Sequence, residues 1–178
     1  MNKPILAIAF AAVAVAVCCA FVWPSQSAPE TVEMKWYTWE EAAALNKTAP
    51  KKIFVDVYTD WCGWCKKMDK STFVDPKVAA YMSEHFYPVK LNAEQKGDIV
   101  FNGTTFKYVT SEGRGYHTLA YSLLEGQLGY PSFVYLNEKY ERIMVSPGFK
   151  DPATIMKELT FAAEEQYNKT TWEEWNKQ

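Results

Sequence analysis

Ile53-Phe54-Val55-Asp56-Val57-Tyr58-Thr59-Asp60-Trp61-Cys62-Gly63-Trp64-Cys65-Lys66 sets a largely apolar run directly ahead of two cysteines separated by Gly63 and Trp64. The run Ile53 to Tyr58 is apolar on both faces apart from Asp56, the pattern of a central strand covered by helices on both sides. A helix is expected to open near Cys62 and to run through Lys66, Met68 and Asp69. A cysteine at a helix N-terminus faces unpaired backbone N–H groups and the positive end of the helix dipole, and both favour its thiolate. A stabilised thiolate is a weaker nucleophile but a better leaving group, so the placement sets redox poise as much as attack rate. Cys62, at the mouth of the turn, is the expected attacking sulfur. Cys65, one turn inside and largely covered, is the expected resolving sulfur. The pattern points to thiol–disulfide exchange.

The chain has four cysteines, and Cys18 and Cys19 lie in an N-terminal apolar run. The remaining pair closes too small a loop to staple a domain, which assigns it to reactivity. Zinc is the competing reading of this spacing, but it needs two further ligands. The only two histidines, His85 and His117, stand alone. No metal is expected, and no cofactor beyond a redox-active Cys62–Cys65 disulfide.

Met1-Asn2-Lys3, the apolar run Ile5 to Val22, Trp23-Pro24 and then Ser25-Gln26-Ser27 read as an export segment over residues 1–27. It is either a cleaved signal peptide or an N-terminal membrane anchor through residues 5–22. Val17 and Cys18 are poor residues ahead of a lipid-modified Cys18 or Cys19. Lys3 holds the N-terminus inside on every reading, so residues 28–178 are expected to be exported. That places them in the periplasm or attached to the outer face of the inner membrane. Without the segment, 18 basic side chains stand against 21 acidic ones, a formal charge of −3. That mild acidity leaves no footprint for nucleic acid. Residues 28–178 suffice for one domain, expected to act as a monomer.

Outward from the central strand, Thr38 is placed to cap a helix through Leu45, with Glu41 at the reciprocal position. Asp75-Pro76 opens a second helix ending near His85, and Tyr87 to Leu91 reads as a strand. Ile99-Val100-Phe101 and Thr105 to Val109 flank Asn102-Gly103, a hairpin signal. Gly113 and Gly115 punctuate a loop, and Tyr116 to Glu125 reads as a helix. Ser132 to Leu136 and Arg142 to Ser146 are strands joined by a turn at Asn137-Glu138-Lys139. Pro152 opens a final helix to about Tyr167, and a tail carries Trp172 and Trp175. This order gives an α/β fold with a mixed sheet flanked by helices.

Two further residues carry chemistry. Asp56, six residues before Cys62, is costly in a doubly covered strand without a partner or a task. It is either a proton acceptor for Cys65 with a raised pKa, or a strand-edge acid bonded to a lysine or to backbone. Pro131, at the first residue of a strand, reads from sequence physics as a strand-edge proline.

Asp56, Trp61, Cys62, Gly63, Cys65, Pro131 and Gly148 together resemble the thioredoxin family. The run Phe54 to Cys62, with Lys66-Lys67-Met68 and Thr72-Phe73-Val74-Asp75-Pro76-Lys77-Val78, is similar to the exported C-terminal domain of DsbD-type thiol:disulfide interchange proteins. The resemblance spans about residues 34 to 95 and 127 to 165. It implies a thioredoxin fold, Asp56 as proton acceptor, and a cis peptide at Pro131 beside the cysteines. It also implies substrate binding by Trp61, Gly63, Trp64, Tyr130 and Pro131, with Tyr130 pairing through its backbone to a substrate peptide. Trp64 departs from the proline common between the cysteines of cytosolic thioredoxins. The segment Asp98 to Gly129, a hairpin-plus-helix insertion before Pro131, has no counterpart in a minimal thioredoxin.

The expected function is an exported protein-disulfide oxidoreductase acting on protein disulfide substrates. The absence of a histidine between the cysteines favours a reductant or electron relay, supplied by a membrane electron donor. The rival is a peptide-binding or chaperone-like module without turnover, using Phe101, Phe106, Tyr108, Tyr116 and Tyr121 as a surface. The insertion is expected either to select partners or to cap one edge of the sheet.

Overall fold

The structure, a computed structural model, describes residues 34–111 and 113–177. The expected export segment, residues 1–27, lies outside the described residues. Thr38 and Glu41 form the reciprocal cap of helix α1 (Trp39–Asn46), each side chain accepting the other's backbone N–H. Strand β1 (Lys52–Tyr58) follows, then α2 (Gly63–Lys70) and α3 (Pro76–His85), the latter capped by Asp75. Next come strand β2 (Phe86–Asn92) and two hairpins, β3 (Ile99–Phe101) with β4 (Thr104–Phe106) and β5 (Tyr108–Ser111) with β6 (Arg114–His117). A short helix α4 (Thr118–Leu123) leads into β7 (Ser132–Leu136) and β8 (Arg142–Pro147). Helix α5 (Pro152–Ala163), a 3-10 turn (Gln166–Asn168) and α6 (Trp172–Trp175) close the order.

The main sheet has the order β2-β1-β7-β8. β1 runs parallel to β2 and antiparallel to β7, and β8 is antiparallel to β7. Alternation along β1 divides the core. Ile53, Val55 and Val57 face Trp39 and Ala42 of α1 together with Ile99, Leu119, Ala120 and Leu124 of the insertion. Phe54 faces the other way, onto Met68 of α2, Val78 and Met82 of α3 and Leu159 of α5. The mixed, doubly covered sheet is the expected thioredoxin fold.

Several local expectations are corrected. Gly113 and Gly115 lie in a second hairpin rather than a loop, with Gly113 at its turn (φ +82°). Gly115 has no room for a side chain, because the Tyr108 ring fills the place of its Cβ, 1.6 Å from the hydroxyl. Tyr116 and His117 belong to β6, and the helix begins only at Thr118. The buried His117 imidazole caps that helix, accepting the Leu119 N–H at 3.3 Å, and burial pulls its pKa down. The last long helix stops at Ala163, where Glu165 takes a left-handed conformation, and the tail folds back as α6 onto Phe161.

The insertion packs onto the face of the sheet that α1 covers. Its α4 region supplies Leu119, Ala120 and Leu124 to the core beneath α1, and His117 N–H donates to Ala93 O at 2.6 Å. Phe101 packs edge-on against Trp39, 5.2 Å between ring centroids, and Phe106 also lies against this core. Of the five candidate surface aromatics, Tyr121 is exposed, stacked on Tyr116, while Tyr108 and Tyr116 are half-buried.

Candidate active site

β1 ends at Tyr58, and a turn closed by Cys62 N–H donating to Thr59 O brings the chain into α2. Cys62 is the N-cap: its Sγ accepts the backbone N–H of Cys65 at 3.1 Å, and its carbonyl accepts the first helical hydrogen bond from Lys66. The Cys62 sulfur therefore sits where unpaired helix N–H groups converge. Cys62 and Cys65 are disulfide-bonded, with 5.3 Å between Cα atoms. The expected difference in cover is not found in this oxidised form: Cys62 is 4% exposed and Cys65 3%. What distinguishes the two cysteines is the cap, not their burial.

Gly63 is exposed at the first position of α2, and a Cβ there would meet nothing within 4 Å. Packing does not demand the glycine. Trp61 and Trp64 flank the pair, 64% and 56% exposed. Neither is loose. Trp61 Nε1 donates to Glu94 at 3.0 Å, and its ring meets Tyr130 edge-on at 5.8 Å. Trp64 lies 5.2 Å from the Phe149 ring, with the Lys67 ammonium over both rings. Burial, with the Glu94 charge, pushes the Tyr130 hydroxyl up to about 12, so it is neutral at every working pH.

The Tyr130–Pro131 peptide is cis, as the resemblance implied. Pro131 O accepts from Gly148 N–H at 2.8 Å, and Gly148 has φ +88°, a conformation open to glycine. This close turn ties the start of β7 to the end of β8.

Asp56 has the lysine partner of one expectation and the raised pKa of the other. It is 1% exposed, on the sheet face that α2 covers, and burial raises its pKa to about 6 despite the nearby Lys90 ammonium. Its register partner on β2 is Lys90, whose Nζ donates to Asp56 Oδ2 at 2.6 Å and also to Asp69, one turn beyond Cys65 on α2. Asp56 Oδ1 is buried without a protein hydrogen-bond partner. Burial pulls Lys90 down, but the two carboxylates outweigh it and its pKa is raised, so it stays charged.

Glu94, Lys90, Asp69, Lys67 and Phe149 were not singled out in the sequence. Lys90 alone carried a signal, as a lone cation in an apolar strand; the others gain meaning only from tertiary placement. Among the described residues, no group of three or more His, Cys, Asp or Glu side chains could hold a metal ion, and no helix is long and apolar enough to cross a membrane.

A mixed sheet, a Cys-Gly-Trp-Cys disulfide at a helix N-terminus and a cis-proline define a thioredoxin-like fold related to the disulfide oxidoreductases. The chain belongs to the family described as Thioredox_DsbH, protein of unknown function DUF255, whose model matches residues 24–178. Spermatogenesis-associated protein 20 of Homo sapiens is 33% identical over 82 residues, 46% of this chain and 10% of that protein. The thiol:disulfide interchange protein DsbD of Vibrio vulnificus is 44% identical over 45 residues, 25% of this chain and 8% of that one. The chain thus spans a tenth or less of the length of these curated relatives. A solved structure titled DsbH Oxidoreductase has TM-score 0.56 and 18% identity, covering 79% of this chain and 92% of its own. A thioredoxin from Thermus thermophilus has TM-score 0.53 and 22% identity, covering 71% and 84%. Both show the fold.

Proposed function

We propose that this protein is an exported thiol–disulfide oxidoreductase that reduces protein disulfides or relays electrons to them through Cys62 and Cys65. The observation that carries the proposal is the Cys62 sulfur at the N-cap of α2, bonded to Cys65 and framed by two exposed tryptophans. In the reduced protein, the Cys62 thiolate attacks one sulfur of a substrate disulfide; that bond breaks and the other substrate sulfur leaves as thiolate. Cys65 gives its proton to Asp56 and attacks Cys62 Sγ, breaking the mixed disulfide and releasing the second substrate sulfur. Two electrons have then passed to the substrate, and the Cys62–Cys65 disulfide has formed.

Trp61, Trp64, Gly63 and the backbone of Tyr130 beside cis-Pro131 form the surface on which a substrate segment lies. The absence of a cation between the cysteines and the buried acid at Asp56 favour a reductant or relay over a strong oxidant. Export, a membrane electron donor, possible attachment through residues 5–22 and a monomeric state complete the proposal. The rival peptide-binding module is weakened by the packing of half-buried Phe101 and Phe106 against the core. The test is reduction of an insulin-type disulfide with dithiol supplied, which proceeds with the native protein and stops in Cys62→Ser. Unchanged turnover in that variant would sink the proposal.

A further inference from the structure

The turn that carries Gly148 and Phe149 ends at Lys150, which engages several groups at once. The Lys150 side chain is only 12% exposed. Its Nζ donates to Pro147 O at 2.6 Å and to Gly148 O at 3.1 Å, folding back over its own turn. The same ammonium lies 3.9 Å from Glu158 Oε1, a buried carboxylate that also accepts from Ser146 Oγ at 2.6 Å and, on its other oxygen, from Tyr135 at 2.9 Å. The Lys150 main chain is engaged as well. Its N–H donates to Met68 Sδ of α2 at 3.5 Å, and its carbonyl accepts the hydroxyl of Thr72, just beyond α2, at 2.7 Å.

Lys150 thus stitches three pieces together: the end of α2, buried Glu158 on α5, and two carbonyls of the turn. Two groups of that turn touch the candidate site. Gly148 N–H holds the Pro131 carbonyl, and the Phe149 ring holds Trp64 between the cysteines. A surface lysine with a free ammonium does neither.

We propose that Lys150 is a positioning residue for partner binding: it fixes the Pro147–Phe149 turn, and through it the Trp64 wall and the Pro131 edge on which a partner's extended segment lies. This rests on the oxidoreductase reading of the same site. Its consequence is selective. A protein substrate uses the whole preorganised surface, and loosening that surface adds an ordering cost to docking. A small disulfide touches only the sulfur and does not meet that cost.

The experiment compares Lys150→Met, which keeps the apolar stem, with Lys150→Arg, which keeps a cation and donors. In Lys150→Met, kcat/KM for an insulin-type protein disulfide falls about ten-fold, carried by KM, while the rate with a small aromatic disulfide stays within about two-fold. Lys150→Arg recovers part of the loss. Thr72→Val, which removes only the hydrogen bond to the Lys150 carbonyl, shows the same split at smaller amplitude and serves if Lys150→Met does not fold. Independently of turnover, the Trp64 indole resonance shifts and broadens in Lys150→Met while that of Trp39, in the core, is unmoved. Equal loss with both disulfides, or a lower melting temperature with the KM and the Trp64 signal unchanged, makes Lys150 merely structural and overturns the proposal. Failure of the native protein to reduce either disulfide would refute the oxidoreductase reading instead, and the indole signal would still decide the positioning of Trp64.

Discussion

Replacing Asp56 by Asn is expected to stabilise the oxidised protein at neutral pH, and the pH dependence of the gain follows from the burial of this side chain. The folded carboxyl holds its proton up to about pH 6, whereas its ordinary value is 3.8. Between those values the folded state binds more protons than the unfolded state, so stability falls as pH rises through the window. A separation of roughly two units corresponds to about 3 kcal/mol at pH well above 6, and to nothing below 3.8. Asn cannot ionise and escapes that loss. Lys90 keeps Asp69 as a partner, so the substitution leaves no isolated buried cation. The assay is urea unfolding of the disulfide form, in which neither cysteine titrates, at about pH 3.5 and about pH 7.5. The advantage of Asp56→Asn should grow by about 3 kcal/mol between them. A difference that is flat with pH, or that reverses, would show that the Lys90 pair outweighs burial, and the account of Asp56 would fail.

Kinetics separate the roles at the same residue: Asp56→Asn should slow resolution of a mixed disulfide on Cys62 more than its formation, since only resolution needs the Cys65 proton removed, and equal slowing in stopped-flow traces refutes this. Leu124→Ala should cost about 3 kcal/mol in denaturant unfolding, because Leu124 fills the core beneath α1. Shortening the exposed Asn102-Gly103 tip should leave stability within about 0.5 kcal/mol. A change in proteins captured by the tip variant would support the partner-selecting reading of the insertion, and an unchanged set with a lower melting temperature would support the cap. Equilibration with glutathione should place the Cys62–Cys65 couple nearer the thioredoxin potential of about −270 mV than the strongly oxidising value of about −120 mV; the opposite result refutes the reductant direction.

The parts of the fold legible in the sequence are those set by local rules. The Thr38–Glu41 cap, the doubly buried β1 and the Asp75-Pro76 helix start each follow from residues within one turn of the feature. The cis peptide at Pro131 was not legible in this way; only the resemblance pointed to it. A glycine in a strand looks like a loop signal, which hides the β5–β6 hairpin, whereas at Gly115 the Tyr108 ring across the pair occupies the place of a Cβ. Helix α4 is shorter than its sequence pattern suggests, because nothing local says that His117 is a cap rather than a helical residue. The partnership of Asp56 with Lys90 needed the register of β1 on β2, which sets the one acid of β1 beside the one base of β2. Phe149 and Glu94 steady the two tryptophans across long sequence distances, and neither stands out by type or spacing.

The most direct test of thiol–disulfide exchange at this site is covalent capture. Reduced Cys65→Ser protein, mixed with a disulfide-bonded polypeptide and quenched with alkylating agent, should carry the polypeptide as a mixed disulfide located by peptide mass spectrometry on Cys62. Cys62→Ser treated in parallel should carry far less. An adduct shared equally between the two variants, or absent from both, contradicts the assignment of Cys62 as the attacking sulfur and with it the account of the site.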